Sequence, residues 1–319
     1  MDVIVLENQL TLIKTKEIKM KKSLLNILAF IGFATLSTSP QAAQIYTIYG
    51  GSQNGITVRD ATTLSQINFF DPGFVSSSIV AGNNSNMYLT SNNTIYNYSN
   101  TGSFISSFTF PDAGINYHEI AFAGDKVYTV YDGSQNGVTV RDSTTFNQQL
   151  FFDPGFAISG ITAGNNNDMY LTSGNSIYNY SNTGTLLNSF SWPNNTIDYS
   201  DTTFNGSNLY TIYGGSQQGV TIRDGNTLVQ SGTITPGFVA SGIASGDNND
   251  LYLTLDNVIY HYAENGALLN SMIFPDQGIN YTGITFAPSA IPVPAAVWLF
   301  GSGLIGLLGV SRRKRLKTA

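Results

Sequence analysis

Three kinds of apolar pattern divide the chain. Leu24 to Leu36 is a short unbroken apolar run, and Ala295 to Val310 is another with no charged residue. Between Gln44 and Ala287 apolar and polar residues instead alternate in short segments closed by Gly, Asn, Asp or Pro. A period of two places successive side chains on opposite faces of a strand, and the closing residues supply turns. The middle of the chain is therefore expected to be all-β.

That middle repeats itself. Ile45 to Asp60 (IYTIYGGSQNGITVRD), Val127 to Asp142 (VYTVYDGSQNGVTVRD) and Leu209 to Asp224 (LYTIYGGSQQGVTIRD) nearly coincide at a spacing of 82 residues. A second set, opening at Met87, Met169 and Leu251 with the pattern Met/Leu-Tyr-Leu-Thr, follows the same step about 41 residues behind the first. Each 82-residue unit is thus a degenerate pair of modules, and modules of forty-odd residues with four short strands are the signature of propeller blades. One blade reads Ser159–Ala163, Met169–Thr172, Ser176–Tyr180 and Leu186–Trp192. The string GITAGNNNDMYLTSGNSIYNYSNTGTLL within it resembles the NHL-type blade, a likeness that implies fold and not activity.

Counting strands predicts how the ring closes. Inner-strand candidates fall near Ile79, Ile120, Ile161, Thr203, Ile243 and Ile284, which makes six. The first module, Ile45 to Phe70, has three outer strands and no inner one, while Tyr281 to Phe286 is an inner strand with no outer ones. Together they complete a sixth blade, so the expected fold is a six-bladed propeller of four-stranded blades over 44–288, closed by pairing 45–75 with 279–287. Closure removes the largest open sheet edge. A parallel β-helix or an open array is the competing architecture.

The ends read as addresses. Lys19, Lys21 and Lys22 precede the first apolar run, and Ser37-Thr-Ser-Pro-Gln-Ala-Ala43 follows it, the order of a secretory signal. Residues 1–43 are therefore expected to be a signal peptide with its helix, cleaved after Ala43, and Met20 is an alternative start. The second end, 289–319, carries Pro292-Val293-Pro294, an uncharged segment 295–310 able to form a transmembrane helix, and a basic cluster including Arg312 and Arg313. This order resembles the bacterial PEP-CTERM sorting signal, with Val293 where the commonest motif has Glu. The resemblance implies an exosortase-type processing enzyme as partner, transient anchoring in the inner membrane of a Gram-negative bacterium, removal of the tail, and release to the cell surface or the exopolysaccharide matrix. Gly301-Ser-Gly303-Leu-Ile-Gly306 matches a dinucleotide-binding pattern but follows no strand, and small residues packing a membrane helix explain it.

Composition sharpens the partner class. Ten of the fourteen Lys and Arg lie in the terminal segments, which leaves four of them between Gln44 and Ala290 against seventeen Asp and Glu, a formal charge of −13. Such a field repels phosphate backbones and anionic lipid, so nucleic acid is not an expected partner. Cations, neutral glycans such as exopolysaccharide, and surface proteins remain open. The absence of cysteine excludes disulfides, thiol catalysis and thiolate metal sites.

Candidate chemistry concentrates on one face. Loops carrying Phe74, Phe156 and Phe238 alternate along the chain with inner-strand entrances carrying Tyr117, Tyr199 and Tyr281. Aromatic faces beside Asn and Asp suit a neutral glycan or an extended peptide, so these six are the ligand-rim candidates; the competing reading packs them between blades. Glu119, Asp201 and His118 break the threefold repeat at those entrances and are the catalytic candidates, as a pair of carboxyls is what glycoside hydrolysis requires. The turns Gly82–Asn86, Gly164–Asp168 and Gly246–Asp250 are oxygen-rich enough for Ca²⁺ yet lack the spacing of a dedicated loop, and left-handed turns explain them as well. No cofactor or metal site is expected otherwise. Arg59-Asp60, Arg141-Asp142 and Arg223-Asp224 recur once per unit, as inter-blade ion pairs or strand caps would. The leading expectation is a non-catalytic surface or matrix propeller that binds glycan or protein; the alternatives are a polysaccharide lyase or glycosidase, and a purely structural matrix protein.

Overall fold

Short alternating segments joined by tight turns fold as successive hairpins, and in the computed structural model they form six antiparallel sheets of four strands each. The structure describes residues 42–289. The expected signal segment and the sorting tail, with Pro292, Val293, Pro294, Arg312 and Arg313, lie outside the described residues. Among the described residues no helix is long and apolar enough to cross a membrane.

Inner strands are Ser78–Ala81, Ile115–Ala123, Gly160–Ala163, Ile197–Asn205, Gly242–Ser245 and Ile279–Ala287. Each packs against the inner strand of the blade on either side, and the six close a ring around a central channel. Outer strands are Gln66–Phe70, Phe104–Thr109, Gln148–Phe152, Leu186–Ser191, Gln230–Ile234 and Leu268–Ile273. Closure is the expected one: the last strand, Ile279–Ala287, pairs antiparallel with the first, Gln44–Gly51, from Gln44 opposite Ala287 to Gly51 opposite Ile279. The representative blade also falls where its pattern places it, at Gly160–Ala163, Met169–Ser173, Ser176–Tyr180 and Leu186–Ser191.

The repeated motifs resolve into blade packing. Gly51, Gly133 and Gly215 end their strands at φ near +110°, and a Cβ at Gly133 would collide with the Gly114 carbonyl oxygen. Only glycine permits both the left-handed backbone and that approach. The arginines form no pair with the aspartates that follow them. Arg141 instead lies over the ring of Phe108 in the preceding blade, 4.1 Å from its centroid, and donates to the Phe146 carbonyl and Gln148; Arg223 repeats this over Phe190 at 3.6 Å. A desolvated cation over an aromatic face contributes roughly 2 kcal/mol. The aspartates are strand caps, since Asp142 Oδ1 accepts from the amides of Thr144 and Thr145 and from the Thr145 hydroxyl. Those bonds hold the Asp142 carboxyl below its usual range.

The oxygen-rich turns serve the same end. Asn166, Asn167 and Asn249 take left-handed conformations there, and the side chains of Asn83 and Asn165 donate to the carbonyls of Gly124 and Gly206 in the next blade. Among the described residues no group of three or more His, Cys, Asp or Glu is arranged to hold a metal ion.

Candidate functional site

Six positions at a spacing of 41 residues form one layer of the channel: Ser78, Glu119, Gly160, Asp201, Gly242 and Gly283. The long inner strands reach this layer through a β-bulge. Pairing jumps from Tyr117 to Glu119, from Tyr199 to Asp201 and from Tyr281 to Gly283, leaving His118, Ser200 and Thr282 unpaired. A bulge inserts one residue and re-aims the side chains around it. The Tyr before each bulge is directed into the blade interface, and the residue after it lines the channel.

This geometry corrects half of the expected rim. Tyr117, Tyr199 and Tyr281 are 1%, 2% and 1% exposed. Tyr117 packs edge-on against Tyr131, Tyr281 against Tyr49, and Tyr199 accepts from Arg223. Their backbone carbonyls are engaged as well: Ser77, Ser159 and Ser241 donate from the neighbouring blades to the Tyr117, Tyr199 and Tyr281 oxygens at 2.7, 2.7 and 2.9 Å. These three tyrosines are core residues, as the competing reading of them had it: the bulge holds each Tyr in the blade interface and sends the residue two places on into the channel.

Phe74, Phe156 and Phe238 remain half-exposed on the loops leading into the short inner strands. Each stacks on a half-exposed tyrosine of its neighbouring blade: Phe74 on Tyr96 at 4.2 Å between centroids, Phe156 on Tyr178 at 4.3 Å, and Phe238 on Tyr260 at 4.7 Å. The sequence reading missed these tyrosines. Their signal was the 82-residue recurrence of Ile-Tyr-[Asn/His]-Tyr, in which the first Tyr has the parity opposite to the buried Ile. Asp71 and Asp153 cap the adjoining turns through the amides of Gly73 and Gly155.

Glu119 and Asp201 come together. Both line a central cavity of about 210 Å³ whose walls also include Ser78, Thr162, Thr203 and Thr285, and no Lys or Arg is among its lining residues. Glu119 accepts from the Ser78 hydroxyl at 3.0 Å. Asp201 accepts from the Thr202 amide at 2.7 Å and, across the blade boundary, from the Ile243 amide at 3.2 Å. Burial pushes the Asp201 carboxyl up to about 7, against the pull of those two amides. Burial also drives Glu119 well above the carboxylate range, and the negative charge of Asp201 drives it further. Burial and like charge thus act in the same direction, holding both carboxyls toward their neutral forms. His118 is not part of this pair; its Nε2 meets the Ile158 carbonyl at 3.2 Å and its Nδ1 lies 3.7 Å from Asp132.

Comparison with solved structures returns a crystal structure of a protein of unknown function from Bacteroides caccae, with a TM-score of 0.60 and 12% identity, covering 78% of this chain and 99% of that one. The likeness is one of fold. No protein-family model matches the chain, and no curated protein matches it in sequence.

Proposed function

We propose that the protein is exported, processed by an exosortase-type enzyme at its C-terminal tail, and presented at the cell surface or in the extracellular matrix, where its propeller binds neutral glycan without catalysis. The observation that carries the binding half is the threefold set of stacked Phe–Tyr pairs, Phe74–Tyr96, Phe156–Tyr178 and Phe238–Tyr260. Half-exposed aromatic faces provide the apolar platform on which sugar rings stack, and Asp and Asn beside them offer directed hydrogen bonds. Three copies at equal spacing make weak single contacts additive in avidity. The export half rests on the likeness of 1–43 to a secretory signal and of 289–319 to the PEP-CTERM tail.

A glycan array and a matrix pull-down test the binding. Retention on a neutral polysaccharide is expected, with loss of about tenfold or more in the Tyr96→Ala, Tyr178→Ala, Tyr260→Ala triple variant, where three stacking faces disappear. Retention on no glycan, or retention untouched by the triple variant, sinks the reading.

A second reading, a glycosidase or lyase using Glu119 and Asp201, draws support from their lining one cavity with both carboxyls raised toward their neutral forms. Against it, a cavity of about 210 Å³ falls below the roughly 300 Å³ at which ligand pockets begin. Turnover of any polysaccharide abolished by Glu119→Gln would favour it.

A further inference from the structure

The outer strand of every blade ends its sheet with an unpaired backbone edge. Such edges are templates for pairing with another chain, and proteins blunt them with Lys, with Pro, or with inward-pointing charge. None of the six outer strands contains a charged residue or a proline: QINFF, FISSFT, QQLFF, LLNSFS, QSGTI and LLNSMI.

Three of them go further. A bulge near the start of the outer strand leaves Ile105, Leu187 and Leu269 as extra residues, since Tyr98 pairs with Phe104 while Asn97 pairs with Ser106, and the other two copies repeat the jump. Two consecutive apolar residues are consequently exposed together: Phe104 with Ile105, Leu186 with Leu187, and Leu268 with Leu269, each about half open to solvent. The bulge that in other proteins twists an edge away from partners here turns an apolar side chain toward them.

Charge selects the partner. The ring from Gln44 to Ala290 carries −13, and its seventeen acids all lie off the outer strands. Two copies meeting through their acidic loops bring like charge together, whereas outer strand against outer strand brings no charged residue to the contact. A basic protein would be drawn to the acidic loops instead, and anionic lipid would be repelled. We propose that copies of this chain associate edge to edge through Phe104–Thr109, Leu186–Ser191 and Leu268–Ile273, with the apolar bulge residues seated against the like strand of a second copy. Antiparallel pairing of identical strands is isologous, and three such edges spaced around one ring extend an assembly in several directions rather than closing it as a dimer. Each contact would span a single strand of 6 residues, so association is weak per edge and multivalent overall. This inference does not depend on glycan binding.

Light scattering and sedimentation velocity on the purified full chain test it, with every variant in the same background so that any association through the terminal segments is common to all. Mass is expected to rise with protein concentration and, because salt screens the acidic repulsion, to rise further from about 20 to about 300 mM NaCl. The Ile105→Glu, Leu187→Glu, Leu269→Glu triple variant is expected to lower the associated fraction about tenfold or more. The same charge added on the loops before the short inner strands, as Val75→Glu, Ala157→Glu, Val239→Glu, is expected to leave association intact. Circular dichroism separates loss of contact from loss of fold. Should the edge triple misfold, the single variant Leu187→Glu is expected to reduce extended assemblies to small oligomers by removing one of three edges. A wild-type chain of constant mass at all concentrations and salts, edge variants that assemble like wild type, or assembly abolished by the loop triple instead, each overturns the proposal.

Discussion

Replacing Glu119 with Gln is expected to stabilise the protein above neutral pH and to leave it unchanged near pH 5. Burial raises the folded-state affinity of both channel carboxyls for protons, so the fold favours their neutral forms. For a carboxyl raised in this way, the stabilisation of the neutral form is present in full below the unfolded value and is lost as pH climbs through the folded one. Asp201, moved from 3.8 to about 7, loses about three units at roughly 1.4 kcal/mol each, on the order of 4 kcal/mol between about pH 4 and pH 7. Glu119 is raised as well, first by its own burial and then by the negative charge of Asp201. The Glu119 loss likewise accumulates from the unfolded carboxyl value upward, and Gln removes that part alone.

The exchange is close to isosteric. The Ser78 hydroxyl rotates to accept from the new amide, whereas Asp201→Asn would turn an NH₂ toward one of two backbone amides and cost about 1–3 kcal/mol. Urea unfolding followed by circular dichroism near pH 5, 7 and 9 reads the effect. Tyr46, Tyr128, Tyr131 and Tyr170, pushed up to about 12 by burial, do not titrate in this window, and both histidines are common to the two chains compared. A gain of about 1–3 kcal/mol near pH 9 with none near pH 5 is expected, a fraction of the Asp201 figure because water reaches the channel. Equal midpoints at all three pH values, or a wild-type stability that stays flat from about pH 5 to pH 8, would refute the reasoning.

Other perturbations address packing and processing. Gly133→Ala forces a Cβ onto the Gly114 carbonyl at φ +110° and is expected to cost about 2–4 kcal/mol, while Gly73→Ala, at φ +81° with nothing within 4 Å, is expected to cost about 1 kcal/mol; thermal melts of both variants compare them. Arg141→Met removes the stack on Phe108 and leaves the Phe146 carbonyl without its donor, and is expected to cost about 2–3 kcal/mol in urea unfolding. Mass spectrometry of exported protein is expected to find Gln44 at the N-terminus; a terminus beyond Tyr46, inside the strand that closes the ring, would contradict the assignment of the signal segment.

Strand positions were legible because the sequence states them several times over. An ambiguous segment in one module is decided by its counterpart 82 residues away, as Ile-Thr-Ala at 161–163 decides Ile-Val-Ala at 79–81. The rim was harder because a bulge is invisible to period-two counting. From Ile115 onward the alternation runs smoothly to Tyr117, then slips one place at His118, so Tyr117 enters the core and Glu119 the channel. The same slip occurs at Ser200 and Thr282, where neither residue type advertises it. Arg59, Arg141 and Arg223 with their aspartates were read correctly as structural; of the two roles expected, the aspartates take that of strand cap, and the inter-blade contact of each Arg is with an aromatic of the preceding blade rather than an ion pair.

The channel layer separates what the ring needs from what it carries. Blade packing is repeated faithfully: the arginine stacks, the strand-ending glycines and the serine caps on the bulge carbonyls all recur at 82-residue spacing. At the six positions that meet in the channel the repeat fails, with glycine at 160, 242 and 283 and acids at 119 and 201. Glycine there lets inner strands approach, as a Cβ at Gly160 would press on Asp201 Cα, so the strands meet at Gly160 with no side chain of its own between them. The two acids are half-buried, carry no basic partner in the cavity, and by the reasoning above weaken the fold above neutral pH. Groups that cost stability, at positions where glycine suffices, are not there to hold the ring. The pH dependence of Glu119→Gln measures that cost, and comparing the same variant in glycan retention and in turnover separates a role in binding from one in chemistry.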